Sequence, residues 1–327
     1  MKRNVRRIAC LLAAPLLLAA CATTAPSSSG QEPFPKSLDS ITLIVPFSAG
    51  GSTDTVARLV APRLESELGV PVQVLNKPEG NGQVGLKEVA KAPTDGSVLG
   101  SVNLPSVITS YLDPNTDVDY DRKSFQPVGA VTGFGVVLVA SADGTYKSFE
   151  DLAKAVHEKP RSVNLAAGAV DDLLPMSYLE KAFDGKFNLV PFEGGSSGKV
   201  TALLGKKVDV IIAAPSAVVA NVQSGKFRIL ATLGSQRTVT FPDVPTATEL
   251  GYKIIADTVN GFALPAGTPD DIVQAYSRAL EKAVADPKFV DAVGKLGFNT
   301  TFLDPRKHAE LWDRREQEAA PVIAAAG

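Results

Sequence analysis

The sequence predicts an α/β protein folded as two lobes with a ligand cleft between them. Three observations carry that expectation. From Ile41 onward, short apolar β-rich runs alternate with amphipathic helical stretches, the pattern of βαβ units and a mainly parallel sheet. The alternation is longer than one simple sheet needs, so two sheets are expected to share it. The first strand runs into paired glycines and a helix start, the kind of turn found at the carboxyl edge of a sheet, where ligands bind.

In chain order, Ile41 to Val45 reads as a strand and Thr53 to Leu68 as a helix, with Val56, Ala57, Val60, Leu64 and Leu68 on one face. Val72 to Leu75, Gly82 to Lys91 and Val98 to Ser101 repeat strand, helix and strand. A second series follows, with strands at Val136 to Ala140, Val163 to Ala166, Leu189 to Phe192, Val208 to Ala213 and Phe227 to Thr232. Its helices are Ser148 to Glu158, a stretch near Pro175 to Phe183, Ser197 to Leu204 and Pro215 to Ser224. The chain closes with a strand at Val259 to Leu264 and helices at Asp270 to Ala285, Pro287 to Lys295 and Pro305 to Ile323. One lobe is expected at 40–134 with 253–327 and the other at 135–252, hinged near Gly133 to Val136 and Tyr252 to Thr258.

Ahead of the folded part, Lys2, Arg3, Arg6 and Arg7 precede the apolar run Ile8 to Leu18, and Leu18-Ala19-Ala20 leads into Cys21. The run is too short to span a bilayer core of about 30 Å with ease, so residues 1–20 read as an export signal of the lipoprotein type, with Cys21 as the lipidated residue. The alternative is an ordinary secretory signal whose cysteine is incidental. Residues 21–39, rich in Ser, Thr, Pro and Gly, read as a flexible tether. A coil of that length reaches roughly 20 Å. Cys10 lies inside the signal, so no internal disulfide is expected and stability must come from the core.

The chain holds 33 basic and 35 acidic residues; four of the bases fall in the signal, leaving 29 against 35, a net charge of −6. That balance argues against nucleic acid as a partner, since such binding rests on a basic excess at phosphates. It leaves open a local basic pocket for a small anion.

Val45-Pro46-Phe47-Ser48-Ala49-Gly50-Gly51-Ser52-Thr53-Asp54 carries the strongest local signal. Paired glycines let backbone approach a ligand without a Cβ, and the unpaired amides of a helix start favour an anion. Ser52, Thr53 and Asp54 are equally good helix caps, so a plain strand-to-helix turn remains the alternative. Catalytic signals are missing. The two histidines, His157 and His308, fall on expected polar helix faces without a nucleophile or metal partner nearby in sequence, and both read as solvated surface residues. No H-E-x-x-H occurs. Glu193-Gly194-Gly195-Ser196-Ser197-Gly198-Lys199-Val200 resembles a phosphate loop, but Glu193 replaces its first glycine and Val200 the Ser or Thr that would hold magnesium. No cofactor, metal or enzymatic activity is therefore expected.

Seven segments stand in the order of a known family: VPFSAGGSTD at 45–54, NKPEGNGQVG at 76–85, VAKAPTDG at 89–96, FQPVGAV at 125–131, VPFEGG at 190–195, FPDVPTATELGY at 241–252 and GFALPAGTPDDIV at 261–273. Through them the chain resembles the substrate-binding proteins of tripartite tricarboxylate transporters, also called Bug receptors. The resemblance implies a type II periplasmic binding-protein fold, two α/β lobes joined by crossing strands. It also implies capture of a small carboxylate, or a related aromatic or amide compound, for a membrane permease of two unequal subunits. The ligand-binding set expected on this basis is Phe47, Ser48, Ala49, Gly50, Gly51, Thr53, Asp54, Asn103, Gly168, Ala169, Val170, Asp171, Gly194 and Pro215.

The chain departs from the family at its second ligand segment. Where a Gly-x-Gly-Ser turn is usual, it reads Gly168-Ala169-Val170-Asp171-Asp172, and a carboxylate there would repel a ligand carboxylate. Two readings stand. In one, the ligand carries a carboxylate for the Gly50-Gly51 loop and a cationic or hydrogen-donating group for Asp171 or Asp172. In the other, these acids cap the following helix and face solvent. Thr258-Val259-Asn260 likewise replaces a segment where the family often has an aromatic residue. A monomeric receptor is expected; a solute-sensing lipoprotein for a signalling partner and a secreted α/β enzyme are the alternatives.

Overall fold

The computed structural model describes residues 34–167, 170–192 and 195–325. The export signal, Cys21 and most of the tether lie outside the described residues.

The chain runs β1 (Ile41–Val45), α1 (Ser52–Leu68), β2 (Val72–Asn76), α2 (Gln83–Ala90), β3 (Val98–Leu104), α3 (Ser106–Leu112) and β4 (Phe125–Gly135). It continues with β5 (Val137–Ser141), α4 (Phe149–Glu158), β6 (Asn164–Ala167), α5 (Val170–Phe183), β7 (Asn188–Pro191), α6 (Gly195–Leu204), β8 (Val210–Ala213), α7 (Pro215–Gln223) and β9 (Phe227–Thr232). It ends with β10 (Asp257–Pro265), α8 (Asp270–Ala285), α9 (Pro287–Lys295), β11 (Asn299–Leu303) and α10 (Pro305–Ala324).

Two sheets result, one in the order β11-β4-β10-β3-β1-β2 and the other β7-β6-β8-β5-β9. β1 pairs in parallel with β2 and β3, and β6 with β7 and β8, as βαβ units demand. The remaining pairings, β10 with β3 and β4, β11 with β4, and β5 with β8 and β9, are antiparallel. The expectation of mainly parallel sheets is thus corrected to mixed ones, because strands that cross between lobes must return against their neighbours.

Local sequence explains most element ends. Ile41, Leu43, Ile44 and Val45 are all fully buried, as befits a strand covered on both faces. α1 buries Val56, Ala57, Val60, Ala61 and Leu64 and stops where Gly69 takes a left-handed φ of 70°. Ser148 and Asp151 close a capping box at the start of α4, and Asp304 accepts the Lys307 amide at the start of α10. The helix expected near Pro175 begins earlier, at Val170, and takes Pro175 within it.

β4 and β10 carry the chain across. β4 ends at Gly135 and β5 begins at Val137, so one residue separates the two sheets there. The return passes beside it: Leu233 donates its amide to the Val136 carbonyl at 2.8 Å, and Ala256 donates to Leu233 at 2.6 Å. Where the paths touch, a Cβ on Gly135 would stand 2.4 Å from the Gly234 Cα, so neither glycine tolerates a side chain.

His308 corrects a further expectation. It is fully buried, on the α10 face that also buries Trp312, Arg315, Ala319 and Ile323. Among the described residues neither ring nitrogen has a hydrogen-bond partner. The ring fits because residue 261 is glycine: a Cβ there would meet the His308 Cε1 at 2.4 Å. Desolvation, with the positive charge of Arg122 adding to it, pushes this imidazole down to about 3.

Candidate functional site

A cavity of about 260 Å³ lies between the two sheets. Phe47, Ser52 and Thr53 line it from the β1–α1 turn, and Asn103, Pro105 and Ser106 from the end of β3. The crossing segments add Phe134, Val136, Ala256, Asp257 and Thr258. From the second sheet's side come Asp172, Leu174 and Pro175 at the start of α5, Lys199 on α6, and Ile212, Ala213 and Ala214 at the end of β8. Arg315 reaches it from α10. The volume falls just below the ~300–1,000 Å³ of drug-sized ligand pockets, which suits a compact molecule.

Strand register builds the floor. Asn260 of β10 stands directly opposite Asn103 of β3 and Thr132 of β4. Its Oδ1 accepts from the Asn103 Nδ2 at 2.8 Å and from the Thr53 Oγ1 at 3.2 Å, while its Nδ2 donates to the Thr132 Oγ1 at 3.1 Å. All four side chains are buried, so this network locks the first turn of α1 to the crossing strand. The Ser106 hydroxyl donates to the Asn103 Oδ1 at 3.1 Å, extending the network to α3.

The β1–α1 turn is held from behind. Asp54 accepts the Gly50 amide at 2.8 Å, the Arg58 Nε at 3.0 Å and the Asn76 Nδ2 at 2.8 Å. Burial alone would raise its pKa, but these hydrogen bonds outweigh that and hold it below the usual carboxylate range. Two expected ligand donors are thereby used up: the Gly50 amide by Asp54, and the Gly51 amide by the Ser48 carbonyl at 3.3 Å. Gly51 is the N-cap, so Ser52 and Thr53 occupy the first turn of α1, where amides have no intrahelical acceptor, and both line the cavity.

On the opposite wall the Lys199 Nζ meets the Asp172 Oδ1 at 2.5 Å, both side chains being largely buried. The Arg315 Nη1 donates to the Ile255 carbonyl at 2.8 Å and the Tyr178 hydroxyl at 3.3 Å, with the Glu318 carboxylate 3.4 Å away. The Tyr178 hydroxyl donates to Glu318 at 2.5 Å, and burial together with that carboxylate raises it to about 12.

Of the expected residues, Phe47, Thr53 and Asn103 line the cavity. Ser48, Ala49, Gly50 and Gly51 are exposed and stand outside the cavity lining, and Asp54 is buried. Pro215 is buried one residue beyond the lining Ala214. Gly168, Ala169 and Gly194 lie outside the described residues, as do the side chains of Val170 and Asp171. Asp172 is in the wall and ion-paired, neither solvent-facing nor unmatched. Sequence reasoning passed over Lys199, Arg315 and Asp257 as site residues and reached Asn260 only through the Thr258-Val259-Asn260 departure. Lys199 had a signal inside the Gly-rich Glu193 to Val200 segment; Arg315 and Asp257 converge from positions far apart in the chain. Among the described residues no cluster of His, Cys, Asp and Glu could hold a metal ion.

Two mixed α/β sheets joined by crossing strands, with a cavity between them, are the architecture of a type II periplasmic binding protein. The chain belongs to the tripartite tricarboxylate transporter family receptors (TctC), whose family model matches residues 56–327. It is 31% identical to protein BugT of Bordetella pertussis over 270 residues, 81% of this chain and 82% of that one. A TctC solute-binding protein from Polaromonas, solved without ligand, superposes with a TM-score of 0.76 at 25% identity over 87% of this chain and 98% of that one. MatC of Rhodopseudomonas palustris, solved with bound malate, gives a TM-score of 0.67 at 26% identity over 87% and 98%. The chain is therefore an extracytoplasmic solute-binding receptor of a transport system rather than an enzyme. No described helix is long and apolar enough to cross a membrane.

Proposed function

We propose that this receptor captures a small organic carboxylate between its lobes and delivers it to a two-subunit membrane permease. One observation carries the reading: Ser52 and Thr53, in the first turn of α1, line the inter-lobe cavity, on a floor fixed by Asn103 and Asn260. A helix start of this kind favours a carboxylate through its exposed amides and dipole. The malate held by MatC, a relative of the same fold, supports the class of ligand. The working site is Phe47, Ser52, Thr53, Asn103, Asp172 and Lys199, with the segments around Gly168 to Asp171 and Gly194 completing it from the second lobe.

The lobes, 40–134 with 253–327 and 135–252, close about the crossings near 133–136 and 252–258. Capture shifts an open–closed equilibrium toward the form that docks on the permease. The receptor acts as a monomer, held to the membrane by a lipid on Cys21 after removal of residues 1–20, with 21–39 as tether.

A thermal-shift screen of the full-length chain in detergent tests the ligand class, because a ligand selecting the folded form raises its melting temperature. Mono- and dicarboxylates, acid amides and aromatic acids form the panel, with neutral sugars as controls. Stabilisation by acids and not by sugars is expected; stabilisation by sugars alone would end the proposal. Cys21→Ser is expected to move the protein out of the membrane fraction.

A further inference from the structure

The charges that line the cavity cancel. Its described wall holds two acids, Asp172 and Asp257, and two bases, Lys199 and Arg315. Lys199 is paired with Asp172, and Arg315 stands beside Glu318. The Asp257 carboxylate accepts the Ser235 amide at 3.0 Å. No Lys, Arg or His occurs at 167–171 or 193–197, so the neighbouring sequence adds no counter-charge. The partial positive charge at the start of α5 is already offset by Asp172 in its first turn, and that at the start of α1 is enough for one carboxylate.

Lys199 makes this sharper. The residue is only 4% exposed, and among the described residues its ammonium group has one hydrogen-bond partner, Asp172. An ammonium carries three donors, so two N–H groups remain in the cavity wall, and buried donors left unmade are costly. The neighbouring carboxylate sits 2.5 Å from the same nitrogen, so any acceptor that takes those donors also feels a negative charge. A second carboxylate there gains from Lys199, loses to Asp172, and gives up its hydration as well. An uncharged acceptor gains the hydrogen bonds without the repulsion.

Resting on the carboxylate-receptor reading above, we infer that Lys199 and Asp172 form a specificity pair selecting a monoanionic ligand. Such a ligand is a carboxylic acid whose far end is an uncharged hydrogen-bond acceptor such as a carboxamide, in preference to a dicarboxylate. Lys199 binds the far group; Asp172 orients the ammonium and excludes a second negative charge.

Isothermal titration calorimetry on the full-length chain in detergent tests this with matched sets at neutral pH: succinate, succinamate and butyrate, then the corresponding glutarate and adipate sets. Within the set that binds, the acid amide is expected to bind at least tenfold more tightly than the dicarboxylate. Asp172→Asn leaves Lys199 uncompensated and is expected to reverse that order. Lys199→Gln removes the ammonium beside Asp172 and is expected to widen it, so the two variants move the ratio in opposite directions. Tighter binding of the dicarboxylate by the wild type overturns the inference, as does an unchanged ratio in folded Asp172→Asn. Should either variant fail to fold, the wild-type ratio still decides. If sugars and not acids stabilise the protein in the thermal-shift screen, the receptor reading itself fails, and this inference with it; acids that bind in the wrong order defeat the inference alone.

Discussion

His308 offers a direct test of how the core was built. The ring is fully buried without a partner on either nitrogen among the described residues, and its folded-state pKa is held at about 3 against an ordinary 6.5. The unfolded chain therefore binds a proton that the folded one refuses. Stability from this group is complete above pH 6.5, falls as pH drops below it, and levels off once pH passes the folded value of about 3. The slope in between is about 1.4 kcal/mol per pH unit, so between pH 7.5 and pH 4.5 this one residue removes about 2.7 kcal/mol. The perturbation is His308→Leu, close in volume and unable to titrate. Urea unfolding of wild type and variant at both pH values gives the difference directly. The wild type is expected to lose about 2.7 kcal/mol more than the variant over that interval. Equal losses would refute the reasoning, because they would mean that His308 takes up a proton in the folded protein, through water or a rearranged α10.

Two further outcomes follow from the site. Asn260→Ala removes the shared partner of Thr53, Asn103 and Thr132 and leaves their buried polar groups unmatched, which should cost about 2–4 kcal/mol in urea unfolding. Affinity for the best acid in the thermal-shift panel should fall roughly tenfold in calorimetry, since the first turn of α1 is no longer locked to β10. Asp54→Ala frees the Gly50 amide and the Arg58 and Asn76 side chains from their common acceptor. It should weaken binding through a looser turn while destabilising the chain by about 1–3 kcal/mol; unchanged affinity would show that Asp54 does not position the site.

The elements that sequence made legible share one property. Ile41 to Val45, Ser52 to Leu68 and Phe227 to Thr232 each carry a complete periodic pattern and a recognisable stop, so local physics suffices to place them. β4 escaped notice because Phe125 to Gly135 includes a proline and three glycines and alternates poorly; it is a strand because β10 and β11 flank it and supply its ladder. β11 is short and polar at Asn299, Thr300 and Thr301, and only its pairing with β4 makes it a strand. His308 reads as a surface residue on a polar helix, yet α10 packs that face, Arg315 included, inward.

By itself, then, the sequence determined the class: alternating strands and helices in two series, an anion-friendly helix start after the first strand, seven landmarks in family order, and no residues suited to catalysis. Which groups of that helix start face the cavity, and which are taken by Asp54 and Ser48, only the tertiary structure decided. So too with the meeting of Asp172 and Lys199, of Asn103 with Asn260, and of Arg315 with the crossing strands. The physical reason is that periodicity and turn chemistry act over a few residues, whereas charge pairing and hydrogen bonding in the cavity act between side chains that strand register and lobe crossing bring together from distant parts of the chain.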